Sequence, residues 1–362
     1  MIKPLEGVRI VDFSELLPGP FMTQNLCELG AEVIKIERPP HGDSARRMAP
    51  GLFEAVNRGK QSRVLDLKQP AGRERAIALI SQADILVETY RPGVMSRLGL
   101  GYEAMKVLNP RLIYASLTGY GQSGPMAALP GHDLNYLAVG GAIALSGHGA
   151  STPAHTFGLP AADLCGAMYG FSAILAALYQ RASTGEGQYL DIAMLDCVAH
   201  WLNVRVGHFH HAGIDSLESQ RRDVLIKPAY GVFETADARH LTICALEDHF
   251  WQRLCRALPL PGFLSSGLNE FSARSSRARE INAIIAKEVK RYDLETLERR
   301  LMDADIPVGR VNQPLDVAQE EHVTSRGLPA KTAAGAMMRF PVRLAGIGEP
   351  SALSPSLTEE II

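Results

Sequence analysis

The chain has 362 residues, 46% of them hydrophobic and 21% charged. That composition gives two or three folded domains and excludes both a disulfide-stapled miniprotein and a largely disordered chain. Lys and Arg total 37 against 39 Asp and Glu, a formal charge of -2. The net field therefore favours neither nucleic acid nor an anionic membrane, and an anionic ligand has to be held locally. Five cysteines (27, 165, 197, 244 and 255) form no CxxC pair, so reduced, packed thiols are expected. The N-terminus lacks the long apolar run of a signal peptide. The longest apolar stretch, 164–179, is short of the roughly 20 residues that span a bilayer. A cytoplasmic protein is expected.

In chain order, VRIVDF (8–13) reads as a strand, followed by the loop SELLPGP and a helix with Pro20 near its first turn and Gly30 at its end. AEVIKIE (31–37) is a second strand, so the segment is a βαβ unit with parallel strands. The alternation continues through strands at 62–67, 83–89 and 111–117 and helices at 72–81 and 102–108. This is a doubly wound, Rossmann-like α/β domain. Its first loop lacks GxGxxG, which argues against a nicotinamide or flavin dinucleotide. A Gly- and Ala-rich helix runs from Asp163 to about Arg181, and YLDIAMLDCVAHWL (189–202) reads as strand or helix. Residues 201–225 read as a linker. Two strands about a turn at 236–238 and helices near 249–258, 279–291 and 294–303 make a smaller α+β domain over 226–310. Residues 311–317 are a return linker, and 318–362 rejoin 1–200 in the large domain.

Between Lys35 and Arg75 stand ten Lys or Arg against five Asp or Glu. Arg91 follows a strand end, where open α/β sheets bind ligands, and Arg97 lies a turn later. Asp163, in Ala-Asp-Leu before an apolar helix, reads as an N-cap whose carboxylate the helix N-terminus keeps charged. His208, His210 and His211 look metal-like, but their spacing offers no scaffold, and no metal is expected. Cys165 and Cys197 lie in apolar runs without a base, and Met168 and Met194 are read as core.

Several collinear stretches resemble the family III CoA-transferases and their relatives, the 2-methylacyl-CoA racemases. They are PLEGVRIVDFSELLPGPFMTQNLCELGAEVIKIERP, NRGKQS, ETYRPGVMSRLGLGYE, IYASLTGYGQSGP, GLPAADLCGAMYG and STGEGQYLDIAMLD. The resemblance implies an acyl-CoA substrate, no cofactor beyond its CoA moiety, and an interlaced homodimer. It implies CoA contacts for Lys35 and Arg38 at the adenine and phosphate end and for Arg91 and Arg97 along the diphosphate, with Arg58 and Lys60 as weaker candidates. Asp163 occupies the place of the transferase nucleophile, which attacks the thioester and carries covalent adducts. His132, in PGHDLNYLA, resembles the racemase version of the segment, with Glu247 placed to bond it from the other chain. Racemisation would use His132 and Asp163 as two bases on opposite faces of the alpha carbon, and this is the leading expectation. Pro160 before Ala-Ala-Asp resembles the transferases, so CoA transfer to a carboxylic acid through an aspartyl adduct is the alternative.

Overall fold

The computed structural model describes residues 3–147, 153, 158–260, 262–263, 267–332 and 335–357. It divides into two compact units: Met1–Ile143, Phe157–Arg205 and Ala318–Ile362 in the first, Ala144–Thr156 and Val206–Val317 in the second.

In the first unit β1 (Arg9–Asp12) leads to α1 (Pro18–Glu28) and β2 (Glu32–Glu37). Two prolines at the start of α1 suit its first turn, where the missing N–H leaves no bond unmade. Gly30, at φ +111, lets the chain leave the helix and enter β2. Next come α2 (Ala45–Met48), α3 (Pro50–Asn57), β3 (Gln61–Val64), α4 (Pro70–Ile80), β4 (Ile85–Glu88), α5 (Val94–Arg97), α6 (Tyr102–Leu108) and β5 (Ile113–Thr118). Then α7 (Asp133–Val139) precedes α8 (Ala161–Thr184), β6 (Tyr189–Ala193) and α9 (Met194–Trp201). The ambiguous stretch 189–202 is thus a strand that passes directly into a helix.

The six strands form one parallel sheet in the order β3-β2-β1-β4-β5-β6. Alternate residues feed two cores, as the two-residue period of a strand requires. Ile10, Ile85, Val87 and Ile113 pack with residues of α1, α7, α8 and α9 on one face. Val11, Ile34, Leu86 and Tyr114 pack with residues of α4, α5 and α6 on the other. The strand order reverses between β1 and β4, so the loops that follow them open a crevice at the sheet's carboxyl edge. Although α8 is long and apolar enough by composition to cross a membrane, Cys165, Ala167, Phe171, Ile174 and Ala177 bury one face of it in this core.

The stretch expected as a linker is helical. It forms α10 (Asn203–Ala212) and α11 (Leu217–Leu225), the second capped by Ser216, which accepts from the Ser219 N–H. The apolar residues of α10, Val204, Val206 and Phe209, do not gather on one face, which hides its helical period. The second unit continues with β7 (Tyr230–Glu234), β8 (His240–Cys244), α12 (Asp248–Ala257), α13 (Phe271–Ser275), α14 (Ala278–Val289), α15 (Leu294–Asp303) and β9 (Val308–Arg310). Its strands form an antiparallel sheet, β7-β8-β9. Over it Trp251, Leu254, Ile281, Ile285, Leu297 and Leu301 make a separate core. This unit runs on through Val317, so the segment 311–317 belongs with it.

The tail holds α16 (Glu321–Ser325) and the hairpin of β10 (Pro329–Thr332) and β11 (Gly335–Met338). It is tied to the first unit where the Phe340 N–H donates to Glu28 at 2.6 Å and the Gly59 N–H donates to the Leu353 carbonyl at 2.9 Å. Residues 358–362 of the expected tail lie outside the described residues.

Gly187, just before β6, leaves no room for a side chain. A Cβ there would stand 2.0 Å from the Leu112 carbonyl oxygen, a backbone atom that cannot swing away. Gly187→Ala should therefore destabilise the first unit by more than about 2 kcal/mol, measured by denaturant unfolding.

Candidate active site

Asp163 is the third residue of α8, and Pro160 takes the N-cap position. The expectation of a capping aspartate is thereby corrected: the cap comes from another helix. Asp133, first residue of α7, accepts through Oδ1 from the N–H groups of Ala162 at 2.7 Å and Asp163 at 3.2 Å. These are two of the donors that every helix N-terminus leaves unpaired. His132 is the N-cap residue of α7 and is exposed. Its backbone N–H donates to Asn135 Oδ1 at 3.0 Å, which orients the turn. His132 and Asp163 are therefore brought to one neighbourhood by the aspartate beside the histidine.

This arrangement also decides the charge of Asp163. Burial removes water from its carboxyl and the Asp133 carboxylate repels its charged form, so its pKa is pushed up to about 7. The expectation that the helix N-terminus keeps Asp163 fully charged is thus overturned, because Asp133 already occupies the amides that would have done so.

Tyr136 forms the next wall. A Cβ on Gly119 would stand 2.2 Å from its ring and one on Gly131 2.6 Å, so both glycines exist as space for this phenol. Tyr120 meets the ring edge-on, with centroids 5.1 Å apart. Burial raises the Tyr136 phenol to about 12, Asp163 and Tyr120 add to the rise, and Arg91 opposes it. Arg91 and Asp163 thus both lie within electrostatic reach of one phenol.

Arg91 and Arg97 follow β4 at the switch point. Both are exposed and, among the described residues, neither guanidinium has an ion-pair or hydrogen-bond partner. The Arg97 guanidinium lies over Gly93, which has φ +79. Arg91 borders a cavity of about 350 Å³ lined also by Glu88, Tyr102, Ser116, Gln122 and Tyr189. Glu88 accepts from the Ser116 hydroxyl and from the Tyr90 N–H at 2.7 Å, and burial pushes its pKa up to about 7.

Arg38 is exposed as well. It donates to Glu15 Oε2 at 3.1 Å and to Ser44 Oγ at 2.7 Å, and it borders a cavity of about 420 Å³ with His41, Ser44 and Arg47. Lys35 is a correction. It is completely buried, 2.9 Å from Asp43 Oδ2 and 2.6 Å from the Ser14 carbonyl, so its charge is already matched and no phosphate reaches it. The weaker candidates fall for the same reason. Arg58 is buried against Glu28 at 2.8 Å, and Lys60 donates to Thr23 Oγ1, Asn57 Oδ1 and the Pro20 carbonyl. Glu247 belongs to the second unit, where it is the exposed N-cap residue of α12.

Cys165 and Cys197 are buried free thiols, hydrogen-bonded to each other, and that bond together with burial raises the Cys165 thiol. His208 lies 3.4 Å from Asp223, and among the described residues no group of three His, Cys, Asp or Glu is placed to hold a metal. Sequence reading passed over Asp133 and Tyr136. The signal for Asp133 was an acidic residue directly before an apolar, helix-length run.

With this geometry in place, the chain belongs to CoA-transferase family III, whose family model matches residues 5–360. It is 32% identical over 354 residues to the acetyl-CoA:oxalate CoA-transferase of Acetobacter aceti, covering 96% of this chain and 90% of that one. It is 34% identical over 342 residues to the succinyl-CoA:glutarate CoA-transferase of Mus musculus, covering 90% and 76%. Among solved structures it resembles a CAIB/BAIF family protein from Brucella suis, with a TM-score of 0.87 and 29% identity over 99% of this chain and 97% of that one.

The position of Asp163 has a cost that pH reveals. Its folded pKa of about 7 lies above the ordinary 3.8. Between those values the folded state binds more protons than the unfolded one, so stability falls as pH rises through the window. Asp163→Asn should therefore raise stability at pH 8 by up to about 4 kcal/mol and change it little at pH 4, as read by thermal unfolding at the two values.

Proposed function

We propose that the protein moves CoA from an acyl-CoA to a carboxylic acid, with Asp163 as the nucleophile. What carries this reading above alpha-proton exchange is the set of relatives at 32% and 34% identity, which are named for CoA transfer. Racemisation, the leading expectation from sequence, becomes the second reading, and the exposed His132 beside Asp133 is what favours it.

The chemistry follows from a poorly solvated carboxyl group at the helix start. As a carboxylate, Asp163 attacks the thioester carbon, forming an aspartyl anhydride and releasing CoA thiolate. The thiolate then attacks the Asp163 carbonyl, giving an aspartyl-CoA thioester and freeing the first acid. The acceptor carboxylate attacks that thioester, and the thiolate returns to the new acyl group, which restores Asp163. A carboxylate with few water contacts needs little desolvation before attack. Arg91, Arg97 and Arg38 are proposed to hold the phosphates of CoA, as exposed guanidinium groups do well. No cofactor beyond CoA enters these steps. A cytoplasmic homodimer accompanies this reading, and a bond from Glu247 to His132 accompanies the second.

One incubation separates the two. The enzyme is given one enantiomer of a 2-methylacyl-CoA in deuterated water, with and without a panel of mono- and dicarboxylic acids. The account expects CoA transfer that requires an acid, ping-pong kinetics, no deuterium at the alpha carbon, and transfer that persists in His132→Ala. The free-enzyme kcat/KM should fall below about pH 7 as Asp163 takes up its proton. Acid-independent deuterium uptake with inversion, lost in His132→Ala, would establish racemisation instead.

A further inference from the structure

The loops that follow β1 and β2 share one buried anchor. Asp43 accepts through Oδ1 from the N–H groups of Leu16 at 3.1 Å and Ala45 at 2.8 Å, and its Oδ2 lies 2.9 Å from Lys35 Nζ. Lys35 donates in turn to the Ser14 carbonyl at 2.6 Å, and the side chains of both Lys35 and Asp43 are 0% exposed. On the other side of Ser14, Asp12 Oδ1 accepts from its N–H at 2.9 Å and from its hydroxyl. Asp12 is paired with Lys60, 3.3 Å away and equally buried. Ser14 is therefore held through its N–H, its hydroxyl and its carbonyl by two buried ion pairs.

Stability alone gives no reason for such a network. Four charges are taken out of water, and matched apolar groups commonly replace a buried pair without loss of stability. What ion pairs add is direction, because an ammonium and a carboxylate satisfy fixed donors and acceptors that a packed methyl group leaves free. Here the direction goes into residues 14–17, where Leu16 is held at φ +65, a left-handed conformation rarely adopted by a non-glycine residue. The neighbouring Glu15 faces Arg38, whose second partner, Ser44, follows Asp43 in the chain. Asp43 and Lys35 thus fix both loops that aim Arg38 along the rim of its cavity.

We propose that Lys35 and Asp43 are positioning residues for CoA: buried from the ligand themselves, they hold the loops after β1 and β2 in the one arrangement that presents Arg38 to a phosphate. This rests on the CoA reading above. It gives Lys35 a part in binding through Arg38 and not by contact.

The test uses the full-length protein and calorimetric titration with CoA. Three forms are compared with the parent: Arg38→Ala, the charge-free pair Lys35→Met with Asp43→Leu, and all three changes together. Arg38→Ala and the pair should each weaken CoA binding about tenfold, while adding Arg38→Ala to the pair should weaken it less than twofold further, because the guanidinium is already misplaced. A cooperative thermal transition checks that the pair folds; where it does not, Asp43→Asn takes its place under the same criterion. A folded variant that binds CoA like the parent, or an undiminished Arg38→Ala effect within it, overturns the positioning role. A parent protein that does not bind CoA overturns the reading beneath, and this proposal with it.

Discussion

The carboxylate of Asp133 joins the first turns of two helices, and the chemistry of the first unit depends on that join. It starts α7 and supplies the cap that α8 lacks, accepting from the N–H groups of Ala162 and Asp163. A helix that begins with Pro-Ala-Ala has no capping side chain of its own, so the cap must come from elsewhere in the fold. The consequence is electrostatic. A second carboxyl group placed beside that capped helix start has little water, and the Ala162 and Asp163 amides already face Asp133, so its charge is poorly stabilised and its pKa rises. Tyr136, wedged where Gly119 and Gly131 leave space, closes the same corner.

The sheet puts this corner beside its cations. Reversal of strand order between β1 and β4 separates the loops at their carboxyl ends, and Arg91 and Arg97 stand on one of them, their guanidinium groups without partners among the described residues. Arg38 extends from the loop after β2, and its guanidinium is tethered by Glu15 and Ser44. Part of the remaining positive charge of the segment is spent inside the fold: Lys35, Arg58 and Lys60 are buried against Asp43, Glu28 and Asp12. The local surplus counted along the chain therefore overstates what a ligand meets.

Much of this was readable before any coordinates. The β1-α1-β2 unit shows itself because apolar runs alternate with Pro and Gly at positions where only those residues suit the backbone. The order of the strands through β5, with α4 and α6, follows by the same signals, whereas the short α2, α3 and α5 carry too few turns to show a period. The link from β6 to α9 is ambiguous in sequence because no polar turn separates them, and α10 and α11 read as a linker because α10 has no apolar stripe. Pairing between distant side chains is a different matter. Asp133 reaches α8 across 29 residues, and nothing in a one-dimensional pattern reports that distance. Lys35 did carry a signal, since it stands between Ile34 and Ile36 in a strand with parallel neighbours on both sides. A lysine in such a place is buried and needs a counter-ion, which Asp43 provides.

The central claim is that Asp163 becomes covalently acylated. Mass spectrometry of the peptide that contains it, after the enzyme is mixed with an acyl-CoA and quenched with hydroxylamine, tests this directly. The account predicts an Asp163 hydroxamate that forms only with the acyl-CoA present and disappears in Asp163→Asn. An unmodified Asp163 peptide from enzyme that is turning over would contradict it.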